Sequence, residues 1–267
     1  MINLQARCLL QYEFTRPTMA IFMLRPRSGQ AQWVMSEHYH ITPMPTVATI
    51  NEYTDTYGNV CQRVLLPQGV CTIESMIEVS TTGFIDVNPH AMPTSILQLP
   101  SDVVMYLLPS RYCLPDLLLK PALDITANIQ TGYDKAMAIC EYIHHNFIYE
   151  YGSSNSTTTA LDAWHTKKGV CRDFSHIGIS LCRALDMPAR MVVGYLYELD
   201  PMDLHAWYEV FIGGRWYTFD ATQSEPKGGR VIIGYGRDAA DVAFATFFDN
   251  FVLNDMQVSV KKLVTKS

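Results

Sequence analysis

The chain has 267 residues, of which 48% are hydrophobic and 17% charged, and 20 Lys+Arg against 26 Asp+Glu leave a net charge of -6. That composition supplies a core and excludes wholesale disorder, and the length suits one large domain or two ordinary ones. No basic run is present to engage a phosphate backbone, and no apolar run approaches the roughly 20 residues of a membrane helix, so neither a nucleic-acid nor a membrane partner is expected.

The first 110 residues have the pattern of β-structure. Residues 1–10 carry Gln5 and Arg7 within an apolar stretch and lack a small-residue cleavage site, which makes them a strand rather than a signal peptide. Leu4, Ala6, Cys8 and Leu10 alternate with Gln5, Arg7 and Leu9. Aromatic and β-branched runs follow at 33–41 and 47–53, with turn chemistry at Tyr57-Gly58-Asn59 and Gln68-Gly69. Regularly spaced strands without an intervening helical period predict a β-sandwich over residues 1–115. Pro89, Pro93, Pro100, Pro109, Pro115 and Pro121 then break any period, as a linker or extended crossover would.

A second unit is expected over 116–267. From Asp134, Ala136, Ile139, Cys140, Ile143 and Phe147 recur at helical spacing. A shorter helix is expected over 158–168, with Gly169 as its stop. A third begins near Cys171, where Cys171, Phe174, Gly178, Leu181 and Leu185 share a face. After Pro188 the period becomes two, over 191–198, 205–212 and 215–220. Helices followed by an antiparallel sheet define an α+β domain.

The seven cysteines are scattered without a CxxC pair. Free thiols and a reducing, cytoplasmic setting are therefore expected, with Cys140 and Cys182 as plain core. Cys171 differs, because a helix start offers unpaired N–H groups and the positive end of the macrodipole. Both favour a thiolate, and the same N–H groups suit an oxyanion. The strands beyond it permit a geometric deduction. Gly213-Gly214 forms a two-residue hairpin loop, so Ile212 faces Arg215 and Trp207 faces Asp220. His205, Trp207, Glu209 and Phe211 lie on one sheet face. Asp220 joins them as the diagonal neighbour of His205, at a Cβ separation of roughly 7–8 Å. A carboxylate bonded to one imidazole nitrogen leaves the other to serve a nucleophile. If the helix of Cys171 packs across that face, Cys171, His205 and Asp220 form a triad.

Several ordered segments carry a family resemblance. They are Gly169-Val170-Cys171-Arg172-Asp173-Phe174-Ser175-His176, Met187-Pro188-Ala189-Arg190, Val193-Gly194-Tyr195, His205-Ala206-Trp207-Tyr208-Glu209-Val210 and Trp216-Tyr217-Thr218-Phe219-Asp220-Ala221-Thr222. Together they resemble the core of the transglutaminase-like superfamily, nearest its bacterial cysteine-protease-like branch. The resemblance covers about half the chain, from near Asp134 to about Asp241, where Gly236-Arg237-Asp238-Ala239-Ala240-Asp241 also matches. It implies a papain-like α+β core preceded by a β-sandwich. It also implies Cys171 as nucleophile, His205 as general base and acid, and Asp220 as the group orienting His205. Ala221 stands where many relatives have proline, a change expected to alter the turn and not the triad. The chain lacks the extra C-terminal domains of animal transglutaminases and has no EF-hand-like acidic loop, so calcium-gated crosslinking is not expected.

Other residues carry weaker readings. Asp173 suits a first-turn helix acid. His176 either lines the cleft or caps a neighbour. Tyr149 and Tyr151 are candidates for a second oxyanion donor, against the plainer reading of buried tyrosines. Trp207 and Trp216 pack the sheet or meet substrate. His144-His145 do not share a helical face, and His38 with His40 lack further ligands, so no metal is expected. The expected activity is peptidase or amidase chemistry through an acyl-enzyme, on a peptide or protein amide or isopeptide, without a cofactor. Acyl transfer to an amine is the alternative. A non-catalytic binding module is opposed by retention of all three triad residue types, and a metalloprotein using Cys171 and His205 finds no supporting ligand spacing. Oligomeric state is left open by the sequence.

Overall fold

The computed structural model describes residues 1–29, 31–45 and 50–263. The N-terminal alternation becomes β1 (Ile2–Phe14), in which Leu4, Ala6, Cys8, Leu10, Tyr12 and Phe14 are all buried. It is followed by β2 (Thr18–Arg25), β3 (Gln32–Thr42), β4 (Ile50–Thr54), β5 (Val60–Leu66) and β6 (Gly69–Thr81). The run expected at 47–53 contributes β4, while 47–49 lie outside the described residues. These strands divide between two antiparallel sheets, one ordered β1-β6-β3 and the other β2-β5-β4. Strand β1 pairs with β6 along its whole length, from Ile2↔Thr81 to Phe14↔Gly69. Inward side chains of both sheets, including Leu10, Phe14, Phe22, Leu24, Leu66 and Ile73, make one core. Period-two burial on facing sheets is what a sandwich requires.

The proline-rich stretch is a packed strap rather than a linker. Leu114 N–H donates to Ser180 Oγ at 3.2 Å, and the Cys113 thiol lies 3.6 Å from the His176 carbonyl. The strap leads into α1 (Leu119–Ile125), which the sequence pattern does not signal, and α2 (Gly132–Asn146), capped by Thr131. Next come β7 (Ile148–Tyr149), α3 (Ala160–Thr166), β8 (Lys168–Gly169) and α4 (Cys171–Ala184). Helix α3 stops at Lys167, not Gly169: Lys167 takes the left-handed conformation at φ 57. Its ammonium sits 3.5 Å from the Trp164 ring centroid, a cation–π contact that holds a non-glycine residue there. Gly169 instead pairs with Tyr149 in a short parallel ladder.

Strands β9 (Ala189–Leu196), β10 (His205–Ile212), β11 (Arg215–Phe219) and β12 (Arg230–Gly236) form a second antiparallel sheet system, ordered β11-β10-β9-β12. Helix α4 lies against the β10 face of Ala206, Tyr208, Val210 and Ile212, all in one core with Phe174, Ile177 and Leu181. Gly178 permits this approach, since a Cβ there would stand 2.5 Å from the Tyr208 ring. The helix is buried all round. Arg183 on it donates to the carbonyls of Leu108, Ala189 and Arg237 at 2.7–3.0 Å. Ser175 and Ser180 donate to carbonyls of the helix itself, and His176 Nδ1 has no partner among the described residues.

The chain then returns to the sandwich. Strand β13 (Ala245–Phe247) pairs with β2, and β14 (Val252–Lys262) pairs with β1. The expected division at 115/116 is thereby amended at its C-terminal end, because residues 245–262 hydrogen-bond into the two N-terminal sheets. Side chains also join the halves. The Gln32 carboxamide donates to the Ile232 carbonyl at 2.7 Å and accepts from its N–H at 2.8 Å. Asn59 treats Tyr235 in the same way, at 2.7 and 2.8 Å. Two carboxamides thus occupy the backbone groups of the edge strand β12.

Candidate active site

Cys171 is the first residue of α4 and His205 the first residue of β10. The helix start is built by Asp173, whose buried carboxylate accepts from the Val170 N–H at 2.9 Å, from Ser154 Oγ at 2.5 Å and from Arg172 Nη2 at 2.9 Å. This is the first-turn acid expected from the sequence. Gly169 gives it room: a Cβ at that position would stand 2.6 Å from Asp173 Cβ. Cys171 is partly exposed, whereas the other six cysteines are buried.

The hairpin register is as deduced, with Ile212↔Arg215 continuing to Tyr208↔Phe219 and Asp220 following directly. One expectation is corrected. The body of α4 does not cover the His205 and Trp207 face. It covers the opposite one, which carries only apolar groups and tyrosine, while Glu209 on the other face pairs with Arg190 at 2.6 Å. Cys171 and His205 stand at the first residues of their elements, and Cys171 is among the groups that raise the His205 pKa.

His205 Nε2 donates to Asp220 Oδ2 at 2.8 Å, which leaves Nδ1 free of the carboxylate. Burial, the largest influence on His205, favours the neutral ring. It is overcome by the Asp220 charge and hydrogen bond together with those of Cys171, and the imidazole pKa is raised to about 9. Burial also opposes ionisation of Asp220. The cations His205 and Arg230, with hydrogen bonds from His205 and Thr222, hold its carboxyl well below the usual carboxylate range. Arg230 Nη2 donates to Asp220 Oδ2 at 2.9 Å, and the Thr222 hydroxyl and N–H reach Oδ1 at 2.7 and 3.1 Å. Sequence reasoning missed Arg230. Its only signal is its position at the start of a strand after Gly228-Gly229. The Ala221 turn keeps its backbone engaged, with its carbonyl 3.0 Å from His144 Nδ1.

The remaining candidates separate. Tyr149 is near the thiol: partial burial, followed by the Cys171 charge, pushes its phenol pKa up. Tyr151 is 58% exposed and donates to Asp203 Oδ2 at 3.1 Å, with its ring 5.5 Å from that of Tyr149. Trp207 is buried beneath the site, 6.0 Å from the His205 ring, with the Arg230 guanidinium 4.8 Å from its own ring centre. It packs the sheet and has no opening toward a substrate. Trp216 likewise packs, with the Arg190 guanidinium 4.1 Å from its ring centre. His176 is fully buried, stacks on Tyr112 at 5.1 Å and accepts the Ala239 N–H at 3.2 Å, so it anchors the 237–241 turn. Burial lowers its pKa to about 4. Among the described residues no cluster of three metal-ligating side chains occurs.

A partly exposed thiol at a helix start, near an imidazole that a buried carboxylate orients, is an arrangement suited to attack on a carbonyl. Comparison with known proteins gives the family. Residues 120–221 match the family model described as the transglutaminase-like superfamily. A crystal structure from Cytophaga hutchinsonii, provisionally named a cysteine protease, is 35% identical, spans 100% of this chain and 92% of its own, and superposes with a TM-score of 0.92. An uncharacterised protein of Mycobacterium leprae is 26% identical over 251 residues, 87% of this chain and 88% of its own. An uncharacterised protein of Mycobacterium tuberculosis is 26% identical over 255 residues, 82% of this chain and 77% of its own. With its mixed α+β architecture and papain-like core, the chain belongs to the transglutaminase-like superfamily.

Proposed function

We propose that the protein is a cysteine-dependent amide-bond enzyme in which Cys171, His205 and Asp220 act as a triad. The observation that carries this reading is His205, a buried imidazole hydrogen-bonded to Asp220 at 2.8 Å and raised in pKa by Asp220 and Cys171 together. Thiolate attack on an amide carbonyl forms the C–S bond and places negative charge on oxygen. The Cys171 N–H and the Tyr149 hydroxyl are the donors assigned to that oxygen. His205 gives its proton to the leaving amine, the C–N bond breaks, and an acyl-enzyme remains. His205 then takes a proton from the acceptor as it attacks the thioester, and the C–S bond breaks to return the Cys171 thiolate.

Water as acceptor gives peptidase or amidase chemistry, the outcome we favour, and an amine gives acyl transfer. The substrate is a peptide or protein amide or isopeptide. A reducing, cytoplasm-like setting is proposed on the same footing, since a thiol nucleophile must stay reduced and all seven cysteines are free. The test is intact-mass analysis after incubation with a panel of peptide and isopeptide amides. An acyl adduct on Cys171 that is absent in Cys171→Ala is expected. Iodoacetamide supplies a second readout: Cys171 should label below the pH of ~8.5 at which ordinary thiols ionise, and should lose that advantage in His205→Ala. Slow, equal labelling of all cysteines, with no adduct from any amide, would overturn the proposal and favour a binding module.

A further inference from the structure

Strand β14 ends the sheet β14-β1-β6-β3, and among the described residues no strand pairs with its outer edge. An unpaired edge presents alternate N–H and C=O groups to any strand that fits. The pairing with β1 skips Asn254, after which β14 runs regularly over 255–262. Met256, Val258 and Val260 face Leu10, Cys8 and Ala6 on the core side, while Asp255, Gln257, Ser259 and Lys261 face Gln11, Leu9, Arg7 and Gln5 on the outer side. The core side is open toward the start of β14, where the second sheet ends in a β13 of only three residues, while Val258 is half-buried and Val260 buried. Met256 is 40% exposed, and Phe251, Val252 and Leu253 beside it are exposed too.

The regular stretch is complementary to itself. Directly opposed residues in an antiparallel pair lie on the same face, so two copies joined with their cores aligned must pair odd numbers with odd and even with even. A two-fold axis at Val258 sets Asp255 against Lys261 twice, Gln257 against Ser259 twice, Met256 against Val260 twice, and Val258 against itself. Moving the axis to Gln257 or Ser259 sets Asp255 against Ser259 or Leu263 and loses both ion pairs. The Asn254 irregularity closes the paired stretch just beyond Asp255. We propose that β14 pairs with β14 of a second copy about this axis, joining the sandwiches into an eight-stranded sheet. A lysine on an edge discourages neutral strands. Facing an aspartate it selects the chain's own copy.

The test is sedimentation velocity of the full chain over a concentration series. The wild type should be a monomer–dimer equilibrium. Asp255→Lys or Lys261→Asp opposes like charges at two symmetric places and should weaken the dimer ~10-fold or more. Combining the two substitutions restores opposite signs and should recover the wild-type constant to within about threefold. Both positions are on the surface of the fold, and thermal melts of each variant check that folding is unaffected. Independently, Val258→Cys in a Cys171→Ala background should oxidise to a dimer linked through residue 258. A wild type monomeric at every concentration, a dimer indifferent to both single substitutions, or no linkage through residue 258 would overturn the proposal. The first of these would leave the edge to a strand of another protein.

Discussion

Arg230 and His205 donate to the same oxygen of Asp220, at 2.9 and 2.8 Å. The carboxylate therefore divides its field between a permanent cation and a titratable one. Replacing Arg230 by methionine keeps the bulk against Trp207 and removes the permanent charge. Asp220 then acts on His205 alone, and the imidazole pKa should move above about 9. An NMR titration of the His205 ring protons reads this directly. Breaking a buried pair should also cost about 3 kcal/mol in urea denaturation. An unchanged titration in a folded Arg230→Met variant would rule out the shared-oxygen account.

The raised His205 pKa makes stability depend on pH in a definite direction. The folded protein binds this proton more tightly than the unfolded chain, whose histidine titrates near 6.5. The contribution is complete below pH ~6.5 and disappears as pH rises through about 9. Its full size is at most about 3 kcal/mol. The difference in unfolding free energy between wild type and His205→Gln should shrink across that window, measured by urea melts at closely spaced pH. His176 acts oppositely: its pKa near 4 makes the fold lose stability as pH falls from 6.5 toward 4.

Tyr149 holds its phenol near Cys171. Tyr149→Phe should lower kcat by about 10²-fold with little change in KM, because an oxyanion donor acts only as charge develops. Tyr151→Phe, whose hydroxyl is engaged by Asp203, should change kcat by less than about threefold. Steady-state kinetics on any amide that forms the adduct distinguishes the two. Equal effects would remove Tyr149 from its assigned place.

Gly178→Ala pits helix propensity against packing. Alanine favours a helix by about 1 kcal/mol. Its Cβ, however, would meet the buried Tyr208 ring at 2.5 Å, and overpacking of this kind costs about 1–3 kcal/mol. A net loss of about 1 kcal/mol is expected, with slower iodoacetamide labelling as α4 shifts and carries Cys171 away from His205. A more stable variant would mean that helix and sheet can separate more freely than their packing indicates.

The site was legible where local geometry determined it. The Gly213-Gly214 loop fixes one register, and that register alone brings Asp220 to His205. Arg230 was not legible, because it reaches Asp220 from a different strand across a loop containing Pro226, Gly228 and Gly229, where no period survives. The face of the sheet taken by α4 was misjudged for a related reason. Spacing identifies an apolar stripe on a helix but does not show that Ser175, His176, Ser180 and Arg183 on its far side will be buried against backbone carbonyls and turns. The return of β13 and β14 to sheets begun more than 220 residues earlier is likewise a long-range pairing, with no local trace in the sequence.

The Gln32 and Asn59 carboxamides have a consequence for any attempt to shorten the protein. Each substitutes for one residue of a missing neighbouring strand, so the seam between the halves is matched to the backbone of Ile232 and Tyr235 and not merely greased by apolar contact. A fragment starting after the sandwich would leave that ribbon bare, ready to stack on its own kind. The thiol-bearing half is therefore not a portable module. Two amides more than 170 residues upstream complete the edge of its sheet.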